Sequence, residues 1–157
     1  MIDCASIAVV VPALDEARWI GDVVATMPGF VDWLVVVDDH SRDDTLAVAR
    51  AARRRDQALL LEHHPARRGV GAAIVSGYRR ALDAGADVIA VMAGDGQMHP
   101  GDLEQVVRPV VSGRFDYVKG NRLLHPEVWS AMPWERLVGT AAFGWLASRS
   151  IGVPLGD

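Results

Sequence analysis

The sequence has one cysteine, Cys4, in 157 residues, which excludes an internal disulfide and makes a reducing compartment, the cytoplasm, the expected setting. Long hydrophobic runs are also missing. No stretch reaches the roughly 18 apolar residues that cross a bilayer. The weakly charged segment 137–148 is short and is broken by Gly139, Thr140 and Gly144. The start, Met1-Ile2-Asp3, lacks the positive flank of a signal peptide. Excess positive charge is absent: the formal net charge is -4, which argues against a nucleic-acid binder working by bulk electrostatics. Lysine is nearly absent, since Lys119 is the lone lysine among 16 basic residues. The arginines that replace it suit forked contacts with phosphate. No repeat or low-complexity linker divides the chain. What remains is a half-apolar sequence of ordinary charge content, sized for one globular domain.

Short apolar runs alternate with helical patterns. Residues 5–11 (ASIAVVV), 33–37 (WLVVV), 58–61 and 88–92 read as strands, and 116–119 as a short fifth one. Helices are expected over 16–27, from Ser41 to about Arg54, and over 69–84, 102–111 and 134–150. Ser41 reads as an N-cap with Asp43 and Asp44 in the first turn, and Asp15 as a cap for the helix before it. Strand–helix alternation of this kind predicts an α/β domain, a mostly parallel sheet with helices on both faces. The unbroken apolar strands fit burial on both sides. Ligands of such sheets sit beyond the carboxyl ends of the strands, so the residues following each strand carry the functional reading.

After the first strand comes Pro12-Ala13-Leu14-Asp15-Glu16, a turn with a cap or a ligand-bordering loop. After the second come Asp38-Asp39-His40-Ser41. Adjacent carboxylates at a strand end need solvent, donors or a cation. They are either solvated loop acids or acceptors for a nucleobase or ribose. After the third comes Arg67-Arg68-Gly69-Val70-Gly71, where glycines at a helix start and two arginines favour an anion. Ile74 stands where a third dinucleotide-type glycine belongs, so that fingerprint is incomplete. After the fourth comes Ala93-Gly94-Asp95-Gly96-Gln97, a Gly-rich turn or an oxygen site for a hard divalent cation. His63-His64 has no acids in ligand spacing, so a metal pair is not expected there. Trp19 and Trp33 read as packing residues.

Taken together, VVPALDE, VVVDDHSRDDT, RRGVGAAIVSGYRRAL, VMAGDGQMHPGDL, DYVKGNR and MPWER, in this order, resemble family 2 glycosyltransferases with the GT-A fold. The chain is most similar to the polyprenyl-phosphate (dolichyl-phosphate) sugar transferases among them. The resemblance implies that Pro12, Ala13, Asp15 and Glu16 border the base and ribose of a nucleotide-sugar donor. It implies that Asp39 hydrogen-bonds the base, supported by Asp38, and that Arg68, Gly69 and Gly71 lie near the diphosphate. Asp95 would be the retained acid of the family's DxD motif, holding Mg²⁺ or Mn²⁺ beside Gly94, with Gln97 as a second oxygen ligand or sugar contact. Arg122 would face the diphosphate or an acceptor phosphate, and with Asp95 would serve catalysis.

Two departures stand out. The DxD motif reads Ala93-Gly94-Asp95, so its first acid is missing and weaker metal binding is expected. The family's D-x-x-[ST]-G acceptor loop would begin at about Asp157, so the resemblance implies one domain over 1–157 that ends before the full acceptor-binding region. The implied activity is inverting transfer of a sugar from a UDP- or GDP-sugar to a polyprenyl-phosphate or glycan acceptor. A phosphate acceptor is already anionic and needs no general base. No further carboxylate stands in a motif context, which leans toward phosphate. A lipid acceptor implies peripheral contact at the cytoplasmic membrane face, for which Met132, Trp134, Leu137, Phe143, Trp145 and Leu146 are candidates. Apolar residues at helical spacing more commonly form a core face. The competing readings are a nucleotide-sugar-binding module without turnover and a dinucleotide-binding oxidoreductase domain. The sequence leaves oligomeric state open, a homo-oligomer included.

Overall fold

The computed structural model describes residues 2–120, 139, 143 and 145–150. Two compact units divide the chain, 1–118 and 119–157. In the first, β1 (Ile7–Ala13), β2 (Trp33–Asp38), β3 (Ala58–His63) and β4 (Val88–Val91) form one sheet of order β3-β2-β1-β4. Every pairing is parallel. The helices are α1 (Ile20–Ala25), α2 (Thr45–Ala51), α3 (Val70–Asp83) and α4 (Leu103–Val111), the last preceded by a 3-10 turn over Pro100–Asp102.

Alternation along β1 and β2 builds two cores. Val9, Val11, Leu34 and Val36 point to the face covered by Ile20, Val23 and Val24 of α1 and by Leu103 and Val107 of α4. Ala8, Val10, Val35 and Val37 point to the other, covered by Ala73 and Ala81 of α3. Apart from half-buried Pro12 and Trp33 the central strands are buried, which is why they read as unbroken Val runs. Each such side chain contributes about 1.5–3 kcal/mol relative to exposure.

α3 lies unusually close to the sheet. Its buried positions, Ala73, Ser76, Gly77 and Ala81, are all small. A methyl group built on Gly77 would stand 2.2 Å from Cγ1 of Val10. The helix start, and the loop before it, are therefore set by contact between backbone and a core valine.

Register places the site. Ala13 pairs with Asp38, and Asp38 with His63, so three strands end at one level. β4 reaches only the level of Val10, where the two strands pair as Val10 with Val91.

Several expectations change. β1 runs through Pro12 to Ala13 rather than stopping at residue 11. Pro12 lies beyond the last β4 partner, so its missing N–H costs no bond on that side. α1 starts at Ile20, with Trp19 at its N-cap, so Asp15 caps nothing. α2 starts at Thr45 after Asp44, so Ser41 is not its cap. Residues 116–119 are not a strand. In the second unit, residues 145–150 are helical, and Phe143, Trp145 and Leu146 are exposed rather than part of a core face. Met132, Trp134 and Leu137 lie outside the described residues. No helix among the described residues is long and apolar enough to cross a membrane.

Gly77→Ala should destabilise the fold by about 1–3 kcal/mol, the usual cost of overpacking a filled core. Urea unfolding of the variant beside the wild type measures this; an unchanged midpoint would mean that α3 can move off the sheet freely.

Candidate functional site

A cleft of about 290 Å³ opens above the strand ends. Its walls come from three segments: Pro12 and Ala13 at the end of β1, with Leu14 and Glu16 after it; Arg67, Gly69 and Val70 before and at the start of α3; and Ala93, Gly94 and Asp95 after β4. Asp39, after β2, and Ala73 of α3 complete it. Of the residues the sequence singles out, Pro12, Ala13, Glu16, Asp39, Gly69, Gly94 and Asp95 are thus brought together. Asp15, Asp38, Arg68, Gly71 and Gln97 are near these loops but do not line the cleft. Arg67 does so where Arg68 was expected. Arg122 lies outside the described residues.

The loops after β1 and β2 are stitched together. The Asp15 N–H donates to Ser41 Oγ (2.9 Å), and the Arg42 N–H donates to Asp15 Oδ1 (2.7 Å). The Glu16 N–H donates to Thr45 Oγ1 (2.8 Å) and the Ala17 N–H to Asp43 Oδ2 (3.0 Å). These bonds satisfy backbone donors of the loop ahead of α1. Asp15 and His40 both take positive φ, 57° and 71°, at these turns. Asp and His are among the residues that tolerate such a backbone.

The adjacent carboxylates of Asp38, the last residue of β2, and Asp39, just after it, each find their own set of donors. Asp38 is buried and accepts from the Ser41 hydroxyl and from His63 Nδ1, the latter at 2.7 Å. Asp39 is 3 % exposed. Its Oδ1 accepts from the Arg68 N–H (2.8 Å) and faces His64 Nδ1 (2.7 Å), and its Oδ2 accepts from the Gly69 N–H (2.7 Å). Burial alone would raise its carboxyl, but the His64 bond and the two backbone donors outweigh burial and hold it below the ordinary value. The two histidines thus meet acids after all, 25 residues upstream on β2. Spacing along the chain gives no hint of this. The pairing register, Asp38 with His63, does.

At the other end of the cleft the acids are less comfortable. Glu16 is pushed above its ordinary value, first by burial and then by the charges of Asp95, Asp43 and Asp15. Asp95 Oδ1 accepts from the Gln97 N–H at 3.0 Å, closing a tight turn. Gly96 takes φ 74° there, and its backbone lies against the Trp19 indole. Gln97 is exposed beside this turn. Among the described residues, no three His, Cys, Asp or Glu side chains form a group that could hold a metal ion alone. Asp95 with Glu16 nearby fits a hard cation that takes one or two carboxylates and completes its shell with waters and ligand phosphates.

The family model for glycosyl transferase family 2 matches residues 8–151. The UDP-N-acetylglucosamine–dolichyl-phosphate N-acetylglucosaminyltransferase of Methanococcus voltae is 26 % identical over 153 residues, 89 % of this chain and 61 % of the relative. The polyprenol monophosphomannose synthase of Mycolicibacterium smegmatis is 30 % identical over 125 residues, 79 % of this chain and 47 % of the relative. The crystal structure of glucosyl-3-phosphoglycerate synthase from Mycobacterium tuberculosis with Mn²⁺, UDP-glucose and phosphoglyceric acid matches with a TM-score of 0.55 at 26 % identity, over 70 % of this chain and 40 % of that one. The likeness carries the GT-A fold expected from the loop motifs. The chain spans about half to two-thirds of the length of the curated relatives it matches.

Glu16 yields a stability prediction with a definite sign. Its folded carboxyl is raised, so its charged form disfavours the fold above that value, and the penalty vanishes below the unfolded value of about 4.3. Glu16→Gln should therefore raise the thermal midpoint at pH 7, with the gain shrinking as pH falls through the raised value and gone by about pH 4. Thermal unfolding at both pH values checks this; a loss of stability at pH 7 would show that Glu16 is favourably paired.

Proposed function

Because the chain belongs to glycosyl transferase family 2, we propose that it moves a sugar from a UDP- or GDP-sugar to a polyprenyl-phosphate or similar acceptor with inversion. The carrying observation is the single cleft in which the loops after β1, β2 and β4 meet the start of α3, with acids at one end and Arg67 at another wall. The relatives named for dolichyl phosphate and polyprenol support the acceptor class.

The chemistry is displacement at the anomeric carbon. An acceptor phosphate oxygen attacks, the bond from that carbon to the donor's diphosphate breaks, and a nucleoside diphosphate leaves. An acceptor phosphate has a second pKa of about 6 and is largely dianionic at neutral pH. It therefore needs no general base. The demand is for charge stabilisation on the leaving group. Arg67, exposed and on the cleft wall, is placed for a forked contact with that diphosphate. Asp95 would hold Mg²⁺ or Mn²⁺, with Gln97 as a further oxygen donor, and a cation so held neutralises charge on the diphosphate. Asp39, fixed at the end of β2, offers a carboxylate to the base. Arg122 would meet the departing or the accepting phosphate. A polyprenyl phosphate is presented at a membrane, so the reading implies work at its cytoplasmic face.

Ala93 favours a second reading. It lines the cleft at the position of the family motif's first acid and can ligate nothing. A module that binds a nucleotide sugar without turning it over would tolerate that loss.

Asp95→Asn should weaken binding of a UDP- or GDP-sugar in the presence of Mn²⁺ by about tenfold or more, the worth of one charged contact, with the thermal midpoint unchanged. Titration calorimetry reads the first and thermal unfolding the second. Loss of fold with normal affinity in the folded fraction would make Asp95 a turn residue only. A wild type that takes up none of these donors at millimolar concentration would end the nucleotide-sugar reading. A wild type that binds donor yet forms no glycolipid from a panel of acceptors would decide for the binding module.

A further inference from the structure

His64 is 2 % exposed and lies beneath the cleft wall, outside its lining. Its two ring nitrogens are both engaged. Nδ1 faces Asp39 Oδ1 at 2.7 Å, and Nε2 faces Ser76 Oγ at 2.9 Å. A carboxylate only accepts, so Nδ1 carries the proton, and a neutral ring then accepts at Nε2 from the Ser76 hydroxyl. Ser76 is itself buried, on α3 next to Gly77. The close packing that Gly77 permits therefore also holds the hydroxyl that orients the ring. The chain of contacts runs from α3 through Ser76 and His64 to Asp39, and on to the amides of Arg68 and Gly69.

Counting acceptor positions gives this chain a consequence. A carboxylate offers about four lone-pair positions, two on each oxygen. Oδ1 of Asp39 takes His64 and the Arg68 N–H, and Oδ2 takes the Gly69 N–H. One position, on Oδ2, is left for a ligand. The imide edge of uracil presents one N–H. The corresponding edge of guanine presents two adjacent N–H donors and would call on both oxygens.

We propose that His64, oriented by Ser76, is a positioning residue that sets base specificity at this cleft, reserving Asp39 for a base with a single N–H and so favouring uridine over guanosine donors. This rests on the nucleotide-sugar reading above. A guanine edge could make its second contact only by displacing His64, leaving a buried donor unpaired, or by displacing the half-buried Arg68 amide. Losing one charge-assisted bond in this way corresponds to roughly ten- to a hundredfold in affinity.

The test uses the full chain, with UDP and GDP as probes in calorimetry at fixed Mg²⁺ and with amide hydrogen exchange as a readout independent of any ligand. The wild type should bind UDP more tightly than GDP by about ten- to a hundredfold, and the Arg68 and Gly69 amides should be protected although they lie in a surface loop. His64→Asn, whose amide group reproduces the Nδ1 donor, should retain both properties. His64→Leu should lose protection at those two amides, keep it along β1 and β2, and narrow the UDP/GDP gap. If His64→Leu does not fold, Ser76→Ala should give a smaller narrowing of the same sign. A wild type that binds GDP as tightly as UDP overturns the proposal. Uniform loss of protection with an intact gap also overturns it, since His64 would then be a general stability residue. A wild type that binds neither nucleotide removes the nucleotide-sugar reading and this proposal together, an outcome distinct from equal binding of both.

Discussion

The Asp39 carboxylate is the constraint on which the cleft depends. A charge this buried carries a desolvation penalty of several kcal/mol unless donors surround it. Here three donors do so: the N–H groups of the loop residues Arg68 and Gly69 and the imidazole of His64 beyond β3. Satisfying the charge therefore fixes the end of β2, the exit of β3 and the entry to α3 relative to one another. The start of α3 would ordinarily attract an outside anion. In this chain a protein carboxylate already takes the amides of Arg68 and Gly69 at that entry, so the diphosphate of the proposed donor would rely on Arg67 and the first-turn amides of α3. Gly69, expected beside the diphosphate, serves first to let the loop close on Asp39.

The acids around the cleft divide by how well they are satisfied. Asp39 and Asp43 are held below their ordinary values because hydrogen bonds from His64, Thr45 and backbone amides outweigh burial. They build the loops. Glu16 is raised, because burial and neighbouring carboxylates act on it without such donors. An unrelieved carboxylate in a cleft is the pattern of a site kept for a ligand rather than for stability.

The sheet was legible because β1 and β2 are covered on both faces and so appear as unbroken Val runs. Helix starts were less legible. Ser41 and Asp15 have the composition of caps, yet each is drawn into bonds with the other's loop, contacts that span 26 or more residues. The segment 116–119 forms no strand, although Tyr117 and Val118 are residue types that favour one. For the site, the motif residues at the strand ends were legible, since parallel register brings Ala13, Asp38 and His63 to one level. His64 and Ser76 were not. Their meaning lies in a register and a helix packing distance, and Gly77, which sets that distance, looks from the sequence like any helix glycine.

The alanine at position 93 bears on how the remaining acids work. With an acid there, the cleft would hold a third carboxylate near Asp95 and Glu16, and Glu16 would be harder still to ionise. With alanine, the repulsion is smaller and the fold tolerates the cleft more easily, but a cation finds fewer oxygens. On the proposed reading, a divalent ion bound beside Asp95 would relieve the repulsion that disfavours the folded state, so metal affinity and the ionisation of Glu16 would be linked reciprocally. Alanine at 93 would then weaken metal binding without removing such a site, because a diphosphate brings oxygens of its own. In such a site the cation and the donor should bind as a pair, each supplying what the other lacks.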